Sequence, residues 1–200
     1  MLIALLSAAL AAPAADPTTY EDARVWVGAA VGGGVGADEV PSGGGGAAVE
    51  AGVRLGRERR RSLSLVAYVR EAMMSTPVRN IGNLGVLVQY PSGTGPHVHL
   101  GFSHSHESQL ADYLAHPIEV TTGVHSSLTH RTGFEAGAGW DFPPPFPRNR
   151  ITAVLRPTAA VNVLVFPDNG GPHAYVLAEV GVRFGLDPLF TSSAPASSTP

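Results

Sequence analysis

The residues best suited to chemistry in this chain are its histidines, which are clustered. Seven of the eight histidines lie between positions 97 and 130. His104, His106 and Glu107 form the densest group. Two imidazoles at positions i and i+2 share one face of an extended strand and can reach one Zn²⁺ ion, and a carboxylate adds a third ligand. A zinc site is therefore one hypothesis for these three residues. The alternative, which we favour, is that these histidines are solvated or hydrogen-bond one another.

A second pattern has the residue types of a hydrolase. His125 and Ser127 are two positions apart, and Glu135 follows them in the sequence. A serine becomes a nucleophile when a neighbouring imidazole takes its proton and a carboxylate orients that imidazole. Glu107, His104 and Ser103 form a second possible set. Because a His-x-Ser pair also occurs by chance in a serine-rich loop, a non-enzymatic role is favoured and enzymatic activity stays open.

The segments that must position these residues alternate with period two, which is typical of β-strands. In the last segment Val180 and Val182 fall on one face, while Glu179 and Arg183 fall on the other. Pro157 interrupts the seventh segment, which predicts a bulge or a strand that starts near Thr158. Eight segments have this pattern: 23–36, 47–56, 62–71, 83–90, 97–103, 132–142, 151–166 and 173–186.

The polar face of these segments holds glycine with isolated glutamate and arginine residues. Small residues and a few ions suit the narrow interior of a small β-barrel. Because a buried charge without a partner is costly, the ions are expected to pair inside the lumen. The predicted network consists of Glu50, Arg54, Arg70, Glu135, Glu179 and Arg183.

Composition excludes several classes of protein. The chain has no cysteine, so disulfides and thiolate chemistry are excluded. All thirteen basic residues are arginines, the net charge is -3, and no basic face emerges, which argues against nucleic acid as a partner. Glycine is abundant, with 24 residues, and disfavours long helices.

The ends of the chain differ from its middle. Residues 1–15 carry an apolar run followed by Ala12-Pro13-Ala14, which predicts a cleaved signal peptide. Residues 16–190 are expected to form the barrel, and residues 191–200 a disordered tail. The predicted inner turns are 57–61, 91–96 and 143–149. The predicted outer loops are 37–46, 72–82, 104–131 and 167–172, the third being the longest.

Taken together, the signal, the eight glycine-rich alternating segments and the closing stretch from Tyr175 to Phe184 resemble the OmpA-like superfamily of eight-stranded outer-membrane β-barrels. The resemblance implies an all-β, up-and-down transmembrane barrel in the outer membrane of a Gram-negative-type cell. It also implies lipid and the barrel-assembly machinery as partners, and a monomer. Members of this superfamily include adhesins, structural anchors, small-molecule binders and lipid-modifying enzymes, so the fold does not determine function.

The favoured expectation is a non-enzymatic barrel with a structural or surface-interaction role, exercised through its long, His-rich third outer loop. One alternative is a lipid-modifying hydrolase, since His125-Ser126-Ser127 is similar to the His-x-Ser pair of the lipid A deacylases. Another is a metal-binding barrel, to which His125 and His130 would contribute beside the first zinc group. A third is a soluble periplasmic barrel that holds a small apolar ligand. Whether the lumen conducts ions is left open.

Overall fold

A computed structural model describes most of the chain between residues 23 and 186. The signal peptide predicted for residues 1–15 and the tail predicted for 191–200 lie outside the described residues, as do both ends of the predicted barrel domain. The described ranges are 23–37, 41–56, 62–75, 78–144, 155–167 and 173–186.

Eight antiparallel strands form one closed barrel, in which each strand pairs with the next and β1 pairs with β8. The predicted fold class is therefore confirmed. The strands are β1 (Val25–Ala37), β2 (Ser42–Leu55), β3 (Leu63–Ser75), β4 (Val78–Tyr90), β5 (Gly95–Gln109), β6 (Thr129–Asp141), β7 (Leu155–Phe166) and β8 (His173–Gly185).

The wall of the barrel has its apolar residues outside and many of its polar residues inside. Leu100 and Phe134 point away from the barrel axis and are 62% and 63% exposed. Glu135 and Asp141 point inward and are fully buried. This arrangement is the reverse of a water-soluble protein, in which apolar side chains are buried and charged ones face the solvent. It follows from the period-two alternation of the strands.

Apolar side chains still fill part of the lumen, in two layers separated by charged residues. The layers consist of Met74, Ile81, Leu164, Phe166, Tyr175 and Leu177, and of Trp26, Val66, Tyr68 and Leu87. Tyr68 lies across Gly85 of the neighbouring strand, where a Cβ atom would overlap the phenol ring. This glycine lets a large ring lie flat against the wall of a narrow barrel.

Several strands are longer than the sequence predicted. β5 continues to Gln109 and β6 begins at Thr129, so the third outer loop is 110–128 rather than 104–131. In the same way the first four strands extend into the predicted outer loops 37–46 and 72–82, since β1 reaches Ala37, β2 begins at Ser42, β3 reaches Ser75 and β4 begins at Val78. Alternation continues in these extensions, but polar residues such as His104 occupy the outward face. The hydrophobic pattern therefore stops before the backbone pairing does.

The seventh strand differs from its prediction at its start. β7 begins at Leu155 and runs through Pro157 without a bulge, with Pro157 opposite Val182. The N–H and C=O of a residue in an antiparallel strand point to the same neighbour. The N–H of Phe142 donates to the Pro157 carbonyl at 2.9 Å, so the Pro157 carbonyl faces β6. The Pro157 nitrogen, which has no hydrogen to donate, therefore also faces β6. The pairing of β6 with β7 ends at this point. The proline therefore interrupts few ladder bonds. β6 ends at Asp141 and β7 begins at Leu155, and most of the predicted inner turn 143–149 lies outside the described residues.

Two short helices form most of the third outer loop: α1 (Leu110–Ala115) and α2 (Pro117–Thr121). α1 contacts β4 and β5. Val120 of α2 is fully buried, and Gly123, just after α2, lies beside the ring of His106. The loop is thus folded against the outer wall of β5. Within the described ranges, no helix combines the length and the apolar character needed to cross a membrane.

Candidate functional site

The chemistry-bearing side chains fall into two groups. The first, which we call the lumen network, consists of buried ions and their polar partners inside the barrel. The second, which we call the loop cluster, lies on the third outer loop and consists of Asp112, His116, Glu119, His125 and Ser127.

Arg70 is the centre of the lumen network. Its guanidinium makes two hydrogen bonds of 3.0 Å to Glu135 and two, of 2.9 and 3.0 Å, to Glu179. Glu135 also accepts a hydrogen bond from the hydroxyl of Tyr68, and Glu179 accepts one from the amide of Asn162. Paired bonds between a guanidinium and a carboxylate are among the strongest polar contacts in proteins. The network therefore ties β3 to β6 and β8 across the lumen.

A second part of the lumen network lies nearer the end of the barrel at which β1 begins and β8 ends. Arg183 makes hydrogen bonds of 3.0 and 2.9 Å to the two oxygens of Asp141, and it also bonds Glu50. Arg156 adds a contact of 3.6 Å to Asp141. The ring of Trp26 lies 5.7 Å from the Arg183 guanidinium carbon, which adds a cation–π contact.

A third part of the lumen network lies near the opposite end of the barrel. The carboxylate of Glu107 accepts a hydrogen bond of 3.0 Å from Arg79 and one of 2.7 Å from Arg131. Of the six ions in the sequence-based network, the structure brings together Arg70 with Glu135 and Glu179, and Arg183 with Glu50. Arg54 is also buried inside the barrel.

Two small cavities border the lumen network in the described part of the barrel. A cavity of about 50 Å³ lies between Glu50, Tyr68, His97 and Arg183, and another of about 10 Å³ borders Arg70. A buried water needs about 10–15 Å³, so these cavities are the size of one or a few water molecules. Neither is large enough for the small apolar ligand that a soluble ligand-binding barrel would carry.

The structure divides the predicted zinc group between the two faces of β5. Glu107 points into the lumen, where both carboxylate oxygens are bonded to arginines. His104 and His106 lie on the outward face, because side chains alternate along a strand. The Nε2 atom of His104 is 3.1 Å from Nδ1 of His130, and the two rings stack. The three predicted ligands therefore do not surround one point.

The structure also separates the predicted hydrolase residues. Glu135 is held in the lumen by Arg70 and Tyr68, whereas His125 and Ser127 lie on the third outer loop. Nδ1 of His125 is 2.9 Å from the hydroxyl of Ser127, and that hydroxyl donates to Asp112 at 3.0 Å.

This order of hydrogen bonds is unlike that of a nucleophilic serine. In a catalytic triad the serine proton points to the imidazole and the carboxylate orients the imidazole. Here the serine hydroxyl donates its hydrogen bond to the carboxylate of Asp112 rather than to the imidazole, and Nδ1 of His125 accepts from the backbone N–H of Ser127 at 3.4 Å. Sequence reasoning missed Asp112, because nothing in the spacing from position 112 to position 127 predicts that the loop folds back on itself.

Two further histidines, His97 and His99, lie inside the barrel. Nε2 of His99 is 2.9 Å from the amide oxygen of Asn162, so this ring is linked to the lumen network. His97 is 3.9 Å from Asp141. Both are buried and remote from the loop cluster.

Comparison with known proteins supports the fold. No family model matches the chain, and no curated protein matches it. The structure is similar to Neisserial surface protein A, with a TM-score of 0.56 and 13% identity over 81% of this chain and 97% of that one. It is also similar to the N-terminal β-barrel domain of Pseudomonas aeruginosa OprF, with a TM-score of 0.46 and 15% identity over 81% of this chain and 97% of that one. A third similar structure is Ail, the attachment invasion locus protein of Yersinia pestis, with a TM-score of 0.41 and 12% identity over 80% of this chain and 99% of that one. The chain therefore shares the fold of Neisserial surface protein A.

Proposed function

We propose that this protein is a non-enzymatic outer-membrane β-barrel with a closed lumen, and that it contacts a partner outside the membrane through its third outer loop. The observation that carries the proposal is the reversed wall of the barrel, which is apolar outside and charged inside.

Lipid is the environment that this wall fits. Val31, Leu100 and Phe134 belong to a continuous set of exposed apolar side chains on the outer face of the strands. Removing one such side chain from water contributes about 1.5–3 kcal/mol, so a whole belt left in water would be strongly unfavourable. A closed barrel also satisfies its backbone hydrogen bonds internally, which is the condition for crossing a bilayer with strands.

A role as a pore is not supported by the interior. Arg70, Glu135 and Glu179 bond one another across the lumen, and the neighbouring cavities are water-sized. Ions would have to break these contacts in order to pass. We therefore propose that the lumen network stabilises the barrel and that the interior neither conducts nor binds a ligand.

The third outer loop is the proposed contact surface. It exposes Leu114, Ile118 and Val124 at 69%, 77% and 72%. A cleft of about 820 Å³ lies between the start of this loop and the ends of β4 and β5, and is bordered by Arg79 and Asp112. Exposed apolar residues beside a polar cleft mark a surface that another molecule covers.

Closure within one chain leaves no unpaired strand edge, so we propose a monomer. Insertion would require the barrel-assembly machinery, which reads a terminal aromatic residue; Phe184, near the end of β8, or Phe190 would serve.

The membrane location is tested by detergent extraction and a heat-dependent gel shift. The protein is expected in the detergent-soluble part of the envelope and should migrate differently before and after boiling. A protein that stays in the aqueous fraction and shows no shift would contradict the proposal and favour a soluble barrel.

Orientation is tested with single cysteines, since the chain contains none. Val124→Cys lies on the third outer loop and Thr94→Cys at the opposite end of the barrel, both at exposed positions. A membrane-impermeant maleimide should label Val124→Cys in intact cells and Thr94→Cys only after lysis. The opposite result would place the loop in the periplasm.

A further inference from the structure

We propose that His116, Glu119 and His125 form a Zn²⁺ site on the third outer loop. The sequence placed a metal at His104, His106 and Glu107, so this is a different site. Its position outside the membrane rests on the proposed function, but its binding of metal does not.

The three side chains already lie together. One ligand atom from each lies within 4.8 Å of the corresponding atoms of the other two. Nδ1 of His116 is 3.8 Å from a carboxylate oxygen of Glu119, and the rings of His116 and His125 stack with centroids 4.9 Å apart. A Zn²⁺ ion binds its ligands at about 2.0–2.2 Å, so two ligand atoms on one ion are about 3–4 Å apart. Small side-chain rotations would therefore complete the site.

The backbone holds these residues in place before any metal binds. The carbonyl of His116 accepts a hydrogen bond of 3.0 Å from the N–H of Val120, which is buried. The carbonyl of Glu119 accepts hydrogen bonds from Val124 at 2.9 Å and from His125 at 3.3 Å. Gly123, with a φ of 76°, makes the left-handed turn that returns the chain from Glu119 to His125.

Ser127 and Asp112 lie beside the imidazole of His125. The hydroxyl of Ser127, which donates to Asp112, lies 2.9 Å from Nδ1 of His125, and the backbone N–H of Ser127 donates to the same nitrogen at 3.4 Å. Binding of a metal at Nε2 would place the single proton of the neutral imidazole on Nδ1, where the oxygen of the Ser127 hydroxyl can accept it. Metal-binding histidines are commonly oriented by such a hydrogen bond at the other ring nitrogen. In the metal-bound form the Ser127 hydroxyl would therefore hold the ring of His125 in place.

The donor set identifies the class of metal. Two imidazole nitrogens and one carboxylate oxygen suit Zn²⁺ and neighbouring late transition metals, whereas Mg²⁺ and Ca²⁺ prefer oxygen ligands alone. Three protein ligands leave a fourth position open to water or to a donor group of a partner. A metal at this point would also link α2 to the segment that follows it.

The test is a Zn²⁺ titration of the refolded, untagged protein against a chelating dye. Wild type is expected to bind one Zn²⁺ ion per chain in competition with the dye. Glu119→Gln and His116→Ala should each weaken binding by about tenfold or more. Mg²⁺ at the same concentration should not compete.

His104→Ala is the matched control, because it removes an imidazole that lies outside the proposed site. It should bind Zn²⁺ as wild type does. Equal losses in His104→Ala and His116→Ala would overturn the proposal, as would equal binding by wild type and Glu119→Gln. A heat-dependent gel shift in every variant shows that the barrel has folded, so failure of the metal site is distinguishable from failure of the membrane proposal.

Ser127 acts in this account as a positioning residue. Ser127→Ala should lower Zn²⁺ affinity by about tenfold, and Ser127→Thr, which keeps the hydroxyl, should restore it. If Ser127→Ala binds Zn²⁺ as tightly as wild type, the orienting role of the hydroxyl is excluded.

Discussion

The lumen network and the loop cluster are built from the same kinds of side chain but use them differently. In the lumen, Arg70 is bonded on two sides by Glu135 and Glu179, and Glu135 also accepts from Tyr68. In the loop, His116 and Glu119 are about half exposed, and their closest approach to each other is 3.8 Å.

This difference separates stability from function. Ions whose bonding capacity is used by one another hold strands together and present nothing to a ligand. Side chains that are held in place by the backbone but keep free ligand atoms can bind something else. Substitutions in the lumen network should therefore change the free energy of unfolding more than substitutions in the third outer loop.

The largest effect is expected from Arg70→Met, which leaves the two carboxylates of Glu135 and Glu179 without their shared cation. Breaking a buried ion pair from one side costs about 3–5 kcal/mol. The free energy of unfolding, from a urea titration in lipid vesicles, should fall by that amount. Glu119→Gln also removes a charge, but from an exposed position, and should leave the midpoint unchanged. Equal stability in both variants would mean that the lumen network does not stabilise the barrel.

A smaller loss is expected from Gly85→Ala, because the new methyl group would overlap the ring of Tyr68. Overpacking of this kind costs about 1–3 kcal/mol. Gly43→Ala is the control, since the nearest atom to its added Cβ would be 3.9 Å away. The same urea titration measures both. If Gly43→Ala proves the more destabilising, the assignment of Tyr68 to the lumen is in error.

The smallest effect on stability is expected from the loop. Leu114→Ser and Ile118→Ser change exposed side chains, so each should alter the free energy of unfolding by less than about 0.5 kcal/mol. A loss above 1 kcal/mol in either would show that the loop is part of the folded core rather than a contact surface.

Most of the fold could be predicted from the sequence, because alternation along a strand directly encodes which side faces in. The phase of Val180 and Val182 against Glu179 and Arg183 is the phase found in β8. Strand ends were less predictable. β5 passes beyond Ser103 with His104 and His106 facing outward, and polar residues there conceal a backbone ladder that continues to Gln109.

The sites were only partly predictable, since they depend on contacts between distant residues. That Arg70 and Glu179 face the same lumen follows from alternation. The bonds of Asn162 to Glu179 and of Asp141 to Arg183 depend on strand register. The loop cluster left a weaker signal: the spacing of His116 and Glu119 is that of neighbours on a helix. The approach of His125 depends on the turn at Gly123, which no pattern in the sequence predicts.

Conductance across a planar lipid bilayer shows whether the lumen network closes the barrel. We expect the refolded protein to insert into the bilayer and to produce no discrete current steps. A heat-dependent gel shift of the same preparation shows that the protein has folded. The charges of Arg70, Glu135 and Glu179 would block the lumen. Reproducible single-channel steps from the wild-type protein would contradict the account, because they would require an open path through the lumen network.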